Sequence, residues 1–165
     1  MEERAVESLL CPESIAVVGA SPDSWYASNL IENLLEYGYD NEIYYINPSR
    51  TEVYGKRCYD SITDLPATVD LAVVSVPRQY VIETVRDAGE MGVPSALVIT
   101  AGFAEADSEG KRLENELEAV GEEYGMAICG PNTIGFANTH DDTVVTSTCS
   151  RKPGKGSIVV RHQPG

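Results

Sequence analysis

Apolar residues fall into five short blocks, separated by longer stretches in which they recur every three or four positions. The blocks span residues 15–18, 43–46, 71–76, 96–99 and 126–129. They are largely β-branched and apolar at consecutive positions, the pattern of strands covered on both faces. Between them, Leu30, Ile31, Leu34 and Leu35 predict one helix face, with Gly38 placed to cap its end. Val81, Ile82, Val85 and Ala88 predict a second helix, closed by Gly92 and Pro94. Leu113, Leu117, Val120 and Tyr124 predict a third, stopped at Gly125, with five glutamates on its other faces as solvated surface. A shorter helix is expected over residues 61–65. This alternation predicts an α/β fold: a Rossmann-like, doubly wound parallel sheet of about five strands, with helices on both faces and right-handed crossovers.

Such sheets bind ligands at the carboxyl ends of their strands. The unusual residues of the chain stand there. Gly19, Ala20 and Ser21 follow the first block; Asn47, Pro48 and Arg50 follow the second. Ser75, Val76, Pro77 and Arg78 close the third; Thr100, Ala101, Gly102 and Phe103 follow the fourth; Gly130, Pro131 and Asn132 follow the fifth. The first loop departs from the dinucleotide fingerprint G-x-G-x-x-G, with Ser21 at the second glycine and Ser24 at the third. Their hydroxyls suit either a phosphate at the helix start or N-capping of that helix. Trp25 and Tyr26 either pack over a nucleotide or staple the helix start. The second block ends in Asn47 where an NAD enzyme carries a carboxylate for the ribose hydroxyls, and Arg50 lies just beyond. A cation there suits a phosphorylated ribose, as in NADP or coenzyme A.

Composition narrows the partners. The 165 residues carry 26 acidic and 12 basic groups, a formal charge of −14, and only four of the cations are lysines. Nucleic acid and anionic membrane are poor partners for such a surface, and no apolar run reaches membrane-spanning length. The acidic start, "MEERAVESLL", lacks the basic and apolar regions of a signal peptide, so a cytoplasmic protein is expected. The acidic, lysine-poor balance fits a salt-rich cytoplasm. Cys11, Cys58, Cys129 and Cys149 have no metal-site spacing, and the histidines are His140 and His162. Partly buried thiols are expected, no metal, and no catalytic residue is assigned. Asp141 and Asp142 suit a cation or, more simply, a solvated turn. After Asn138 the pattern weakens: "DDTVVTSTCS" reads as an exposed strand or an arm, and "RKPGKGSIVV" as a turn and a further strand.

The ordered set "SIAVVGAS", "IYYINP", "VDLAVVSVP", "VITAGFAE" and "GPNTIGFAN" resembles the CoA-binding domain of the ADP-forming acyl-CoA synthetases, relatives of the succinyl-CoA synthetase α subunit. The resemblance runs from Ser14 to Asn138. It implies a domain over residues 1–138 that binds coenzyme A, and a connecting arm over 139–165 that starts a second domain. It implies that Gly19, Ala20, Ser21, Ser24 and Trp25 lie toward the CoA phosphates and Asn47, Pro48 and Arg50 toward the adenosine end. Ser75, Val76 and Pro77 would line the wall. Thr100, Ala101 and Gly102 would follow the pantetheine arm, and Gly130, Pro131 and Asn132 would sit near the thiol. The implied reaction converts acyl-CoA, ADP and phosphate to acid, CoA and ATP. Its phosphohistidine and ATP-grasp parts would lie outside this chain, as further synthetase domains or a subunit, and a homo-oligomer is a further expected partner. The sequence departs from the family at 162–165, where His-Gln-Pro-Gly stands for the usual Ser-Gln-Ser-Gly. A non-catalytic CoA sensor and an NADP-linked oxidoreductase domain are the alternatives.

Overall fold

A computed structural model describes residues 2–156 of the chain. The strand and the loop expected over 157–165 lie outside the described residues. Five parallel strands form where the apolar blocks predict them: β1 (Ser14–Val18), β2 (Glu42–Ile46), β5 (Leu71–Val74), β6 (Ser95–Val98) and β7 (Ala127–Cys129). Two short strands, β3 (Glu52–Val53) and β4 (Lys56–Tyr59), extend the sheet to seven in the order β3-β4-β2-β1-β5-β6-β7. β4 runs parallel to β2, and β3 closes the edge antiparallel to β4. The strand order reverses at β1, which pairs with β2 on one side and β5 on the other.

The helices are α1 (Glu2–Leu10), α2 (Trp25–Glu36), α3 (Val81–Glu90) and α4 (Ser108–Tyr124). The expected short helix is a 3₁₀ turn at Ile62–Asp64, opened by a capping box between Ser61 and Asp64. Helix ends follow the sequence signals. Ser24 caps α2, Asp107 caps α4, and Gly125 ends α4 at φ +65°.

Strand residues alternate between two cores, as a period of two requires. Ala16, Val18, Ala72, Val74, Ala96 and Val98 face α3, α4 and the 3₁₀ turn. Ile15, Val17, Leu71, Val73 and Leu97 face α2, whose Leu30, Ile31 and Leu34 are fully buried. Each such side chain contributes about 1.5–3 kcal/mol of hydrophobic burial. Leu35, placed on the same face by the sequence pattern, is 48% exposed, because it turns about 100° beyond Leu34.

The middle of the stretch expected as an exposed strand or arm is neither free nor exposed. β9 (Thr143–Thr146) pairs antiparallel with β8 (Gly135–Asn138), and all four of its residues are buried. Val145 joins the core under α2, and the Asn33 amide donates to the Thr146 carbonyl at 2.8 Å. A two-stranded hairpin has little stability alone, and packing on a helix supplies it.

Candidate functional site

The five loops meet at one edge of the sheet, and hydrogen bonds tie them to one another. The N–H groups of Gly19 and Ala20 both donate to the Ile46 carbonyl, at 2.9 and 3.2 Å. The Asn47 amide donates to the Ala20 carbonyl at 3.0 Å. The Thr100 hydroxyl donates to the Val76 carbonyl at 2.7 Å, and the Asn132 N–H to the Thr100 carbonyl at 3.0 Å. The rim is therefore laced from β2 through β7 before any ligand arrives.

A cavity of about 560 Å³ opens on this rim at the ends of β1, β2 and β5. Of the residues expected from sequence, Gly19, Asn47, Pro48, Ser75, Val76 and Pro77 line it. Thr100, Ala101 and Gly102 lie further along the rim. Gly130 and Pro131 instead line a groove of about 870 Å³ between α1, α4 and the β7 edge. The sequence reading missed Asp60, Ser61 and Ile62 after β4 and Tyr80, Glu83, Thr84 and Asp87, from the N-cap of α3 through its second turn. The α3 set was traceable: Tyr80, Thr84 and Asp87 recur at helical spacing beside a segment already placed at the rim. Asp87 is held above the ordinary carboxylate value by burial and by the neighbouring charges of Glu83 and Glu90.

Each serine of the first loop caps backbone. Ser24 Oγ accepts from the Ala27 N–H at 3.5 Å, and Ser21 Oγ from the Asp23 N–H at 3.2 Å. Trp25 and Tyr26 stack edge to face at a centroid distance of 4.9 Å, are 60% and 49% exposed, and do not line the cavity.

Gly19 holds φ +87°, and a Cβ there would lie 2.2 Å from the Ser75 carbonyl oxygen. The glycine thus serves the close approach of the first loop to the end of β5. A Cβ at Gly130 would likewise sit 2.4 Å from the Val98 carbonyl oxygen.

The rim cations Arg50 and Arg78 are paired. Arg50 forms an ion pair with Asp23 across the first two loops. Lys56 lies at the opposite end of the sheet, where β2 and β4 begin, and stands 3.8 Å from Glu42. Arg78 donates to the Gly102 carbonyl at 2.7 Å and to Asp107 at 3.2 Å, bracing the β6–α4 loop. In that loop Glu105 accepts from the N–H groups of Gly102 and Phe103, at 2.6 and 3.1 Å. Burial pushes the Glu105 carboxyl up, but these donors outweigh it and hold it below its ordinary value. Asp107 is held low by the Gly110 N–H and by Arg78.

Cys129 ends the edge strand β7, partly buried, immediately before the Gly130 loop. Asp141 accepts from Asn138 and Cys11, and Asp142 pairs with Lys152 at 3.0 Å. Both carboxylates of the Asp-Asp pair are thus engaged by protein donors. Among the described residues no helix is long and apolar enough to cross a membrane.

A switch in strand order, a cavity at the carboxyl ends and a laced loop rim define a Rossmann-like α/β module with the edge where such sheets take their ligands. The sequence profile of the CoA binding domain family matches residues 13–139, and the chain belongs to that family. It is 40% identical over 155 residues to the α subunit of an ADP-forming acetate–CoA ligase II of Pyrococcus furiosus, covering 93% of this chain and 33% of that protein. It is 38% identical over 158 residues to a trans-feruloyl-CoA synthase from an unknown prokaryotic organism, covering 94% of this chain and 22% of that protein. Among solved structures it resembles the dinucleotide-forming acetyl-coenzyme A synthetase 1 of Ca. Korarchaeum cryptofilum in complex with phosphate and ADP. That match has a TM-score of 0.80 and 41% identity, covering 87% of this chain and 31% of the other. The chain thus spans a fifth to a third of the length of these relatives.

Proposed function

We propose that this chain holds coenzyme A or acyl-CoA along its loop rim and serves as the CoA-binding domain of an ADP-forming acyl-CoA synthetase. The observation that carries this reading is the cavity at the β1/β2/β5 ends, with Gly19, Asn47, Pro48, Ser75, Val76 and Pro77 on its wall. The apolar and proline-lined part of that wall suits a purine. Asn47, in place of a carboxylate, and Arg50 on the next turn suit a ribose that carries a phosphate. Ser21, Ser24 and Trp25 stand at the start of α2, beside the path of the phosphates. Thr100, Ala101 and Gly102 would carry the pantetheine arm toward Gly130, Pro131 and Asn132. A nucleotide-derived thiol of this length has the reach to use several loops; a small substrate would need only one or two.

In this reading the chain supplies the thiol carrier to acyl-CoA + ADP + phosphate → acid + CoA + ATP. Within the 139–165 stretch, the chain after β9 would lead toward a second domain, and the phosphohistidine and ATP-grasp parts would be further synthetase domains or a subunit. The acidic surface suits a salt-rich cytoplasm and disfavours nucleic acid and membrane as partners; association with a second copy of the chain belongs to the same reading.

Calorimetric titration of the 165-residue chain with CoA, dephospho-CoA, NAD and NADP tests it. CoA is expected to bind most tightly and to lose affinity when its 3′-phosphate is removed. Tight binding of NADP with none of CoA overturns the assignment.

A further inference from the structure

Arg50 and Asp23 stand 27 positions apart in sequence and meet across the rim. Both backbones are pinned. Arg50 follows the Asn47 turn, with its N–H on the Asn47 carbonyl at 3.1 Å and the Ser49 N–H on Asn47 Oδ1 at 2.9 Å. Asp23 lies between the Ser21 hydroxyl, which accepts its N–H, and Ser24, which caps α2. Only the two side chains are free to exchange partners. They are unequally held: the Arg50 side chain is 34% exposed, that of Asp23 81%. The guanidinium is the more buried member and the carboxylate the wet one.

We propose that Asp23 is an internal competitor for Arg50, and that the phosphate monoester of an arriving ligand must displace it. This rests on the reading that the rim holds a ribose-phosphate-bearing cofactor. A phosphate monoester carries about −1.5 to −2 charges near neutral pH, against −1 for the carboxylate, and matches the guanidinium fork with two oxygens. It therefore wins the exchange, while Asp23 turns into solvent with little desolvation to undo. A ligand with a hydroxyl at that position lacks the charge to win, and Arg50 stays on Asp23. Asp23 thus lowers affinity at the phosphate end and retakes Arg50 as the ligand departs, which speeds release. A domain that must let go of its thiol carrier each turnover gains from such a group.

The test is Asp23→Asn in the full 165-residue chain, titrated with CoA and dephospho-CoA at low ionic strength. The expected result is CoA bound about 2- to 5-fold more tightly, the strength of an exposed ion pair. Slower CoA dissociation is expected, with dephospho-CoA unchanged. In an Arg50→Ala background the Asp23→Asn gain should shrink toward none. Weaker CoA binding by Asp23→Asn, or equal gains for both ligands, overturns the proposal: Asp23 then only aims Arg50, or acts on the whole loop. Failure of the unaltered chain to bind either ligand overturns the CoA reading itself and is told apart by that control.

Discussion

Replacing Gly19 by alanine separates a glycine kept for the fold from one kept for a ligand. The new Cβ would lie 2.2 Å from the Ser75 carbonyl oxygen, 2.8 Å from its carbon and 3.3 Å from Val76 Cγ1. Neither strand end can yield. The Ser75 N–H is bonded to the Val18 carbonyl and the Gly19 N–H to the Ile46 carbonyl, both at 2.9 Å. The left-handed conformation costs an L-residue about 1–2 kcal/mol. Forcing an atom into packed backbone adds about 1–3 kcal/mol. The sum, about 2–5 kcal/mol, is a large share of a typical 5–15 kcal/mol stability. Gly92→Ala is the control: its φ is +79°, and a Cβ there meets nothing within 4 Å. That variant should show the conformational cost alone. Urea unfolding of the ligand-free chain should place Gly19→Ala below Gly92→Ala by about 1–3 kcal/mol. The thermal midpoint of Gly19→Ala should fall by on the order of 10 °C. Equal losses in the two variants would refute the close-approach argument and return Gly19 to a purely ligand-facing role.

Further outcomes follow from the same contacts. Asn33→Ala removes the donor to the buried Thr146 carbonyl and should cost about 1–3 kcal/mol, with faster amide exchange confined to β8 and β9; uniform exchange would show that the hairpin does not depend on that bond. Arg78→Ala should speed exchange over residues 100–110 while β1 and β5 stay protected, since the lost donors serve Gly102 and Asp107; unchanged exchange there would mean that the loop is held without it. Glu105 and Asp107 sit below their ordinary values of 4.5 and 3.8, so the fold favours their deprotonated forms. Their contribution is present above those values and is lost as pH falls through the lower folded values. Acid should therefore release the β6–α4 loop and the first turn of α4, seen as loss of their amide protection below about pH 4. Protection that persists there to lower pH than in the rest of the chain would contradict it.

What the sequence disclosed, and what it did not, divides by the range of the interaction. The five parallel strands were legible because a strand buried on both faces must be apolar at consecutive positions, as in Leu71–Val74. β3 and β4 gave no such block: Val53 and Cys58 are their only buried residues, so Lys56 and Arg57 read as loop. The turn between them rests on Tyr54 at φ 49° and Gly55 at φ 74°, a geometry that a Tyr-Gly pair does not advertise. α1 went unread because, among its residues of described burial, only Ala5 is buried. β9 read as exposed because its cover comes from α2, more than 100 positions away. The rim was legible as a place, since parallel strands must deliver their carboxyl ends to one edge. Its wiring was not. The N–H groups of Gly19 and Ala20 on Ile46, Arg50 on Asp23, and Arg78 on Gly102 and Asp107 join segments whose distance no periodicity encodes. This wiring changes the chemistry expected there. Arg50, the cation the sequence offers for a phosphate, is paired within the chain, and so is Arg78 after β5. Under the proposed reading, an anionic ligand at this rim would exchange with carboxylates already in place, so that Asp23 on Arg50 and Asp107 on Arg78 would shape its affinity as much as the cations do.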